Sequence, residues 1–255
     1  MEEHVFAGRP SWMLLGTPRV VHGVNLIASR RSDGPTVQPS IWLAAHYDSK
    51  GQPISMAIRI LGVAALVLGA LVTLAAIGPA LVLFAVGLAI LAANRVTDRS
   101  TGALDNATGL VAILGILDML PRGTDVGVLF LDAEEYGLVG ARALVAERPE
   151  LLQGAAVINF DSLDDRGGCV TFLHRPGPLG RAIAAELGAI RGRWLPVVVD
   201  GIALARGPVR ECATIMKGDW GTARVVHTPR DTADRLTLDA VRQVAAGVAR
   251  VLTGR

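Results

Sequence analysis

The chain has 255 residues, 19% of them charged, and a formal net charge of +2, which excludes a strongly basic nucleic-acid binder and a disordered polyelectrolyte. Two cysteines exclude a disulfide scaffold. The hydrophobic share of 51% is high, but its excess is local: no formal charge occurs between Arg59 and Arg95.

In chain order, Val20 to Arg31 is extended and partly alternating, and Ile41 to Ala45 is a short apolar run ending at His46. Ile60 to Asn94 then holds Ala, Leu, Val, Ile and Gly almost alone. One membrane span takes about 20 apolar residues, so this stretch exceeds one helix and just suffices for two. Gly78-Pro79, near its middle, offers a break. Small residues recur every four positions, Ala65, Gly69 and Thr73 in the first half and Ala85, Ala89 and Ala93 in the second, as in closely packed helices in lipid. Buried core helices fit less well, because helices free of charge on all sides are rare outside membranes. A signal peptide fits poorly, the segment being internal and too long. The expectation is a two-helix transmembrane hairpin over residues 56–95, in contact with the bilayer through residues 57–95, interrupting one catalytic domain made of residues 1–55 and 96–255.

Beyond the insert, Asp105 to Leu120 starts with Asp-Asn and continues with an apolar helical face until Pro121. Asp125 to Leu131 reads as a buried strand, Gly137 to Glu147 as a helix, and Ala155 to Phe160 and Cys169 to His174 as strands. Pro178 to Ile190 is helical, Trp194 to Val199 and Cys212 to Met216 are strand-like, and Leu238 to Leu252 is a closing amphipathic helix. Alternating strands and helices predict an α/β fold: three layers, with a mostly parallel (mixed) sheet covered by helices on both faces.

Ionisable residues gather at the ends of these strands, where such sheets bind ligands: His46 and Asp48, Asp105, Glu134 and Glu135, Asp161, and His227 with Asp231 four residues on. Imidazoles and carboxylates converging on one sheet edge suit a divalent metal, with zinc favoured over manganese or cobalt. Asp48 is two residues from His46 and so lies on the same side of an extended segment, where a carboxylate would orient the ring. Adjacent Glu134 and Glu135 point in different directions, so one can bind metal while the other reaches its water.

Five motifs in order resemble the two-zinc aminopeptidases related to glutamate carboxypeptidases and glutaminyl cyclases: His46-x-Asp48, Asp105-Asn106-Ala107-Thr108-Gly109, Glu134-Glu135-x-Gly137-Leu138-x-Gly140, Asn159-x-Asp161 and His227-Thr228-x-x-Asp231-Thr232. The resemblance runs from about Val20 to the C-terminus outside the insert. It implies a zinc-exopeptidase-like fold, a peptide substrate and two Zn2+ ions bridged by Asp105. His46 and Asp161 would complete one site, and Glu135 and His227 the other. Glu134 would be the general base, Asp48 the support of His46, and Asp231 a supporting residue behind the ligands. The Asp105–Asn106 peptide would be cis. Relatives carry a helical segment before the first strand, for which about 19 residues leave little room here. The relatives' substrate-side pattern is also absent, because residues 201–206 read Gly-Ile-Ala-Leu-Ala-Arg.

Because the insert separates His46 from Asp105, a shared site requires the chain to cross the bilayer twice. The same geometry places the hairpin root near the mouth of the site, facing the bilayer. Basic Lys50, Arg59, Arg95 and Arg99 flank the hairpin and favour a cytoplasmic catalytic domain on an inner membrane. Other readings are a cyclase on glutaminyl peptides, a carboxypeptidase or deacylase, and an inactive membrane-binding module; no nucleic-acid partner is expected. His4, His22 and His174 read as surface or satisfied histidines, Cys169 and Cys212 as unpaired thiols, and Asp164-Asp165 as a solvated turn. Arg193, Arg206 and Arg210 read as surface residues.

Overall fold

The protein is described by a computed structural model covering residues 1–11, 17–29, 38–192 and 198–254. Its strands are β1 (Glu2–Gly8), β2 (Val21–Ser29), β3 (Ile41–His46), β4 (Val126–Leu131), β5 (Ala156–Leu163), β6 (Gly168–Arg175), β7 (Ile190–Gly192) and β8 (Glu211–Gly218). They form one sheet in the order β1-β2-β4-β3-β5-β8-β6-β7. The central strands β4, β3, β5 and β8 run parallel, while β1, β2 and β6 join antiparallel. All eight residues of β5 are buried, which is why these strands read as continuous apolar runs: a parallel sheet has no solvent face.

The helices are α1 (Met56–Val72), α2 (Ile77–Ala92), α3 (Thr108–Met119), α4 (Val139–Glu147), α5 (Pro149–Leu152), α6 (Pro178–Glu186), α7 (Asp200–Leu204), α8 (Trp220–Ala223) and α9 (Asp239–Thr253). Successive strand side chains point to opposite faces. Leu43 and Ala45 of β3 accordingly join Ile113 and Ile116 of α3 and Val244 and Val248 of α9. Trp42 and Ala44 join Leu144 of α4, Leu152 of α5 and Leu204 of α7 on the other face. Fully burying one such aliphatic side chain contributes about 1.5–3 kcal/mol. The three-layer α/β expectation holds, with helices on both faces of a mixed sheet.

Several local expectations are corrected. Residues 2–8 form an edge strand, antiparallel to β2. The helix expected from Gly137 starts at Val139, and the one expected to Ile190 ends at Glu186, with Ile190 already in β7. The strand expected over Trp194–Val199 falls largely outside the described residues, as does Arg193.

The insert is a helical hairpin, but it turns at residues 73–76 rather than at Gly78-Pro79. Pro79 sits in the first turn of α2, where its missing N–H leaves no bond unmade. The seam between the helices uses Gly62 and Gly69 against Ala80 and Gly87, the buried small residues of α1 and α2. A Cβ on Gly87 would lie 2.8 Å from the Gly62 carbonyl oxygen, so the backbones approach too closely for a larger residue. The predicted ladder fails in part because Ala85, Ala89 and Ala93 face outward. Two full membrane crossings are not found: α1 has 17 residues and α2 has 16, and no helix among the described residues is long and apolar enough to cross a membrane. The turn takes residues out of the middle, and α1 packs against α8 of the sheet domain. The root is closed by the antiparallel bridge Gly51–Thr97.

Candidate active site

The strand ends deliver the side chains. His46 closes β3 opposite Leu131, the last residue of the parallel neighbour β4. The chain after β4 makes a single turn at Glu134–Tyr136, entered through Ala133 in the left-handed region (φ 57°). Asp161 lies near the end of β5, and His227 sits in a loop with φ 65°. These segments converge on two groups of metal-ligand type, His46–Asp105–Asp161 and Asp105–Glu135–His227, with ligand atoms in each group within 4.8 Å of one another.

Asp105 belongs to both groups: its Oδ1 is 3.2 Å from His46 Nε2 and its Oδ2 is 3.0 Å from His227 Nε2. Glu135 Oε1 is also 3.0 Å from His227 Nε2. A tetrahedral ion with ligands at roughly 2.0–2.2 Å separates its donors by about 3.3 Å, so these spacings and the nitrogen–oxygen donor set fit zinc. Glu134 belongs to neither group but lines the same cleft, whose volume is roughly 660 Å³.

Hydrogen bonds hold this arrangement from behind. The Asp48 carboxylate lies 3.5 Å from His46 Nδ1, and the Asp48 carbonyl oxygen is closer, at 3.1 Å. The same carboxylate also accepts the Glu134 and Glu135 N–H groups, at 3.0 and 3.2 Å. Asp231 accepts the N–H groups of Leu104 and Asp105, at 2.6 and 3.2 Å. The Asp105–Asn106 peptide is cis. Asn106 donates to the Phe160 carbonyl and accepts from Gly109 and Ser162, tying the start of α3 to the end of β5.

Burial and neighbouring charge set the protonation balance. Burial opposes charge on His46, yet Asp105 and Asp48 hold its pKa well above the ordinary value. Burial likewise disfavours ionised Glu135, but His227 and Lys50 overcome it and bring the group down to about 2. Asp161 is pushed up to about 7 by burial and by the charge of Asp105. Burial, reinforced by Glu135, raises Glu134. Asp200, fully buried at the start of α7, is raised by burial as well, and neither of its oxygens has a hydrogen-bond partner.

Two site residues escaped the sequence reading, which took Lys50 and Arg59 as basic flanks of the hairpin. Lys50 is buried and bonds Glu135 at both Oε2 (2.9 Å) and the carbonyl (2.8 Å). Arg59 reaches back from α1 to place a guanidinium nitrogen 2.6 Å from His227 Nδ1. Asp200 likewise carried no motif signal. His4 is a satisfied histidine, its Nε2 3.0 Å from Glu147 Oε2. Asp164 is not in a solvated turn but buried against Arg235 and Thr222. Asp165 accepts the N–H groups of Thr237 and Ala240 at the start of α9. His22, Arg206 and Arg210 are on the surface, and Cys169 and Cys212 are unpaired.

The model of Peptidase family M28 matches residues 25–252. Among solved structures, a zinc aminopeptidase from Bacillus subtilis is similar with a TM-score of 0.57 at 16% identity, over 92% of this chain and 52% of that one. The LapA aminopeptidase of Legionella pneumophila gives 0.57 at 15% identity, over 98% and 57%. A peptidase M28 precursor from Shewanella amazonensis gives 0.57 at 19%, over 92% and 45%. The chain therefore spans about half the length of these structures, and at such identities the likeness shows the fold alone. No curated protein matches the sequence.

Proposed function

The chain belongs to peptidase family M28, and from that premise we propose that it is a zinc-dependent aminopeptidase acting on peptides. The observation that carries the reading is the pair of ligand groups sharing Asp105, with Glu134 beside them in the same cleft. In this reading His46, Asp105 and Asp161 hold one ion, and Asp105, Glu135 and His227 hold the other. Zinc held by these residues would supply Lewis-acid chemistry, lowering the pKa of a water and polarising a carbonyl. Glu134, which lines the cleft beside both groups, is placed to take a proton from the attacking water and return it to the departing amine; burial raises its pKa, which favours its holding that proton in transit. Asp48 and Lys50 hold the Glu134–Glu135 backbone so that the two carboxylates stay apart. Glu134→Gln is expected to lower hydrolysis by about 10²-fold or more while zinc content stays unchanged. Full activity, or loss of metal, would overturn the role given to Glu134.

The finer part of the proposal concerns the hairpin. Its tip exposes Leu71, Leu74 and Ile77 at 63%, 91% and 67%, too much apolar surface to leave in water. Helices of this length reach about 25 Å, against a hydrocarbon core of about 30 Å. The hairpin therefore dips into the bilayer without crossing it, and the catalytic domain stays on the side it started from. With Lys50 and Arg59 turned inward, only Arg95 and Arg99 remain of the basic flank that favours the cytoplasmic face of an inner membrane. Flotation with phospholipid vesicles should carry the intact chain, and Leu71→Asp/Leu74→Asp should leave it at the bottom of the gradient. Equal flotation of both would sink the membrane reading without touching the peptidase one.

A further inference from the structure

The cleft has walls of two different origins. One comes from the sheet, where Phe172 of β6 and Met216 of β8 line it. The other comes from the hairpin: Met56, Ile60 and Val63 of α1 and Leu91 of α2 face the same space. The three α1 positions are four and three residues apart, a single helical stripe. α1 thus presents Gly62 and Gly69 to α2, a second face outward, and a third to the cleft that holds Glu134, Asp161 and His227. The wall is also held at a fixed place. The Gln52 N–H donates to the His227 carbonyl at 2.7 Å, and Arg59 contacts the ring of the same histidine.

We propose that the hairpin root is a substrate-selecting wall, which makes the preferred substrate a peptide with a large apolar side chain seated between this wall and the sheet. The inference rests on the peptidase reading and adds what that reading leaves open. An apolar side chain seated between the two apolar walls leaves water on both sides, whereas a charged one packed against Ile60, Val63 and Phe172 loses hydration to groups that cannot bond it. The insert is then part of the specificity apparatus as well as a membrane device.

The test uses binding, so that it does not depend on turnover. In the full-length zinc-loaded chain carrying Glu134→Gln, calorimetry would compare the peptides Leu-Leu-amide and Ala-Ala-amide. Ile60→Ala/Val63→Ala is one variant and Leu91→Ala a second, from the other helix. Ile60 and Val63 are 43% and 50% exposed, so truncating them leaves the core intact. The expected result is about a tenfold weaker Leu-Leu-amide affinity in the double variant with Ala-Ala-amide unaltered, because lost methylenes in an apolar pocket cost on this scale. An unchanged Leu-to-Ala ratio in both variants would overturn the proposal. Hydrolysis by the chain with native Glu134, without hairpin-dependent selectivity, would refute the wall and spare the peptidase reading. Hairpin-dependent binding in a chain that hydrolyses nothing would support the wall and refute that reading.

Discussion

Single residues carry roles that their types alone do not announce. Of the two expectations for His174, surface or satisfied, the second holds: its Nε2 lies 2.9 Å from Thr214 Oγ1, and burial brings its pKa down to about 4. In an unfolded chain the same ring titrates near 6.5. Between those values the unfolded state holds the extra proton, so this residue lowers stability as pH falls from about 6.5 to 4 and contributes no penalty above that window. His174→Gln keeps a hydrogen-bonding group beside Thr214 and removes the titration. Urea midpoints at about pH 7 and pH 4.5 should therefore fall less in the variant than in the parent chain. Equal losses would show that His174 is not responsible. Lys50 and Arg59 make the complementary point. Each looks like a membrane-flanking cation in sequence, and each turns inward because Glu135 and His227 sit where it can reach them.

At the scale of elements, strand and helix identities follow from local patterns, while their connections follow from a few polar ties. Asp231 is the clearest tie. It is fully buried, and its carboxylate takes the two N–H groups at Leu104 and Asp105 that start the turn into α3. Removing it leaves two buried donors unsatisfied, at about 1–3 kcal/mol each. It also frees the backbone that aims Asp105 at both histidines. Asp231→Ala is expected to weaken zinc binding about 10–100-fold, measured by competition with a chelating dye. Undiminished affinity would mean that Asp105 holds its position without help. The hairpin illustrates the opposite case, in which composition identifies the element but not its details. Gly-Pro looked like the break, yet the turn comes earlier, because proline at the start of a helix is tolerated and a backbone seam at Gly62 and Gly87 sets how the helices register.

For the whole molecule the controlling feature is a concentration of buried acid. Asp105, Glu134, Glu135, Asp161 and Asp200 are all buried, and near them lie His46, His227, Lys50 and Arg59. Burial, and after it the repulsion of neighbouring carboxylates, raises the pKa of Glu134 and Asp161. Divalent cations relieve that repulsion only in the folded chain. Zinc at a hundredfold excess over its dissociation constant adds about 2.7 kcal/mol to stability. In a chain of this size that moves the melting temperature by roughly 5–10 °C. Calorimetry with zinc and then with a chelator should show that drop; identical melting curves would count against a metal site here.

The amino-acid order alone specified the central strands, the helices α3 and α9, the apolar insert and the residue types at each strand end, because those signals lie within a few positions of one another. It also placed His46, Asp105, Glu135, Asp161 and His227 among the ligand candidates, through motifs that each lie on one short segment. Tertiary structure decided what spans long separations: the edge strand β1 beside β2, the strand order, the reach of Arg59 to His227 and the isolated carboxylate of Asp200. It also decided that the insert lines the cleft and that, among the described residues, no helix is long and apolar enough to cross a membrane. Such features depend on which surfaces meet once the layers pack, and residues distant in sequence carry no local pattern of that meeting.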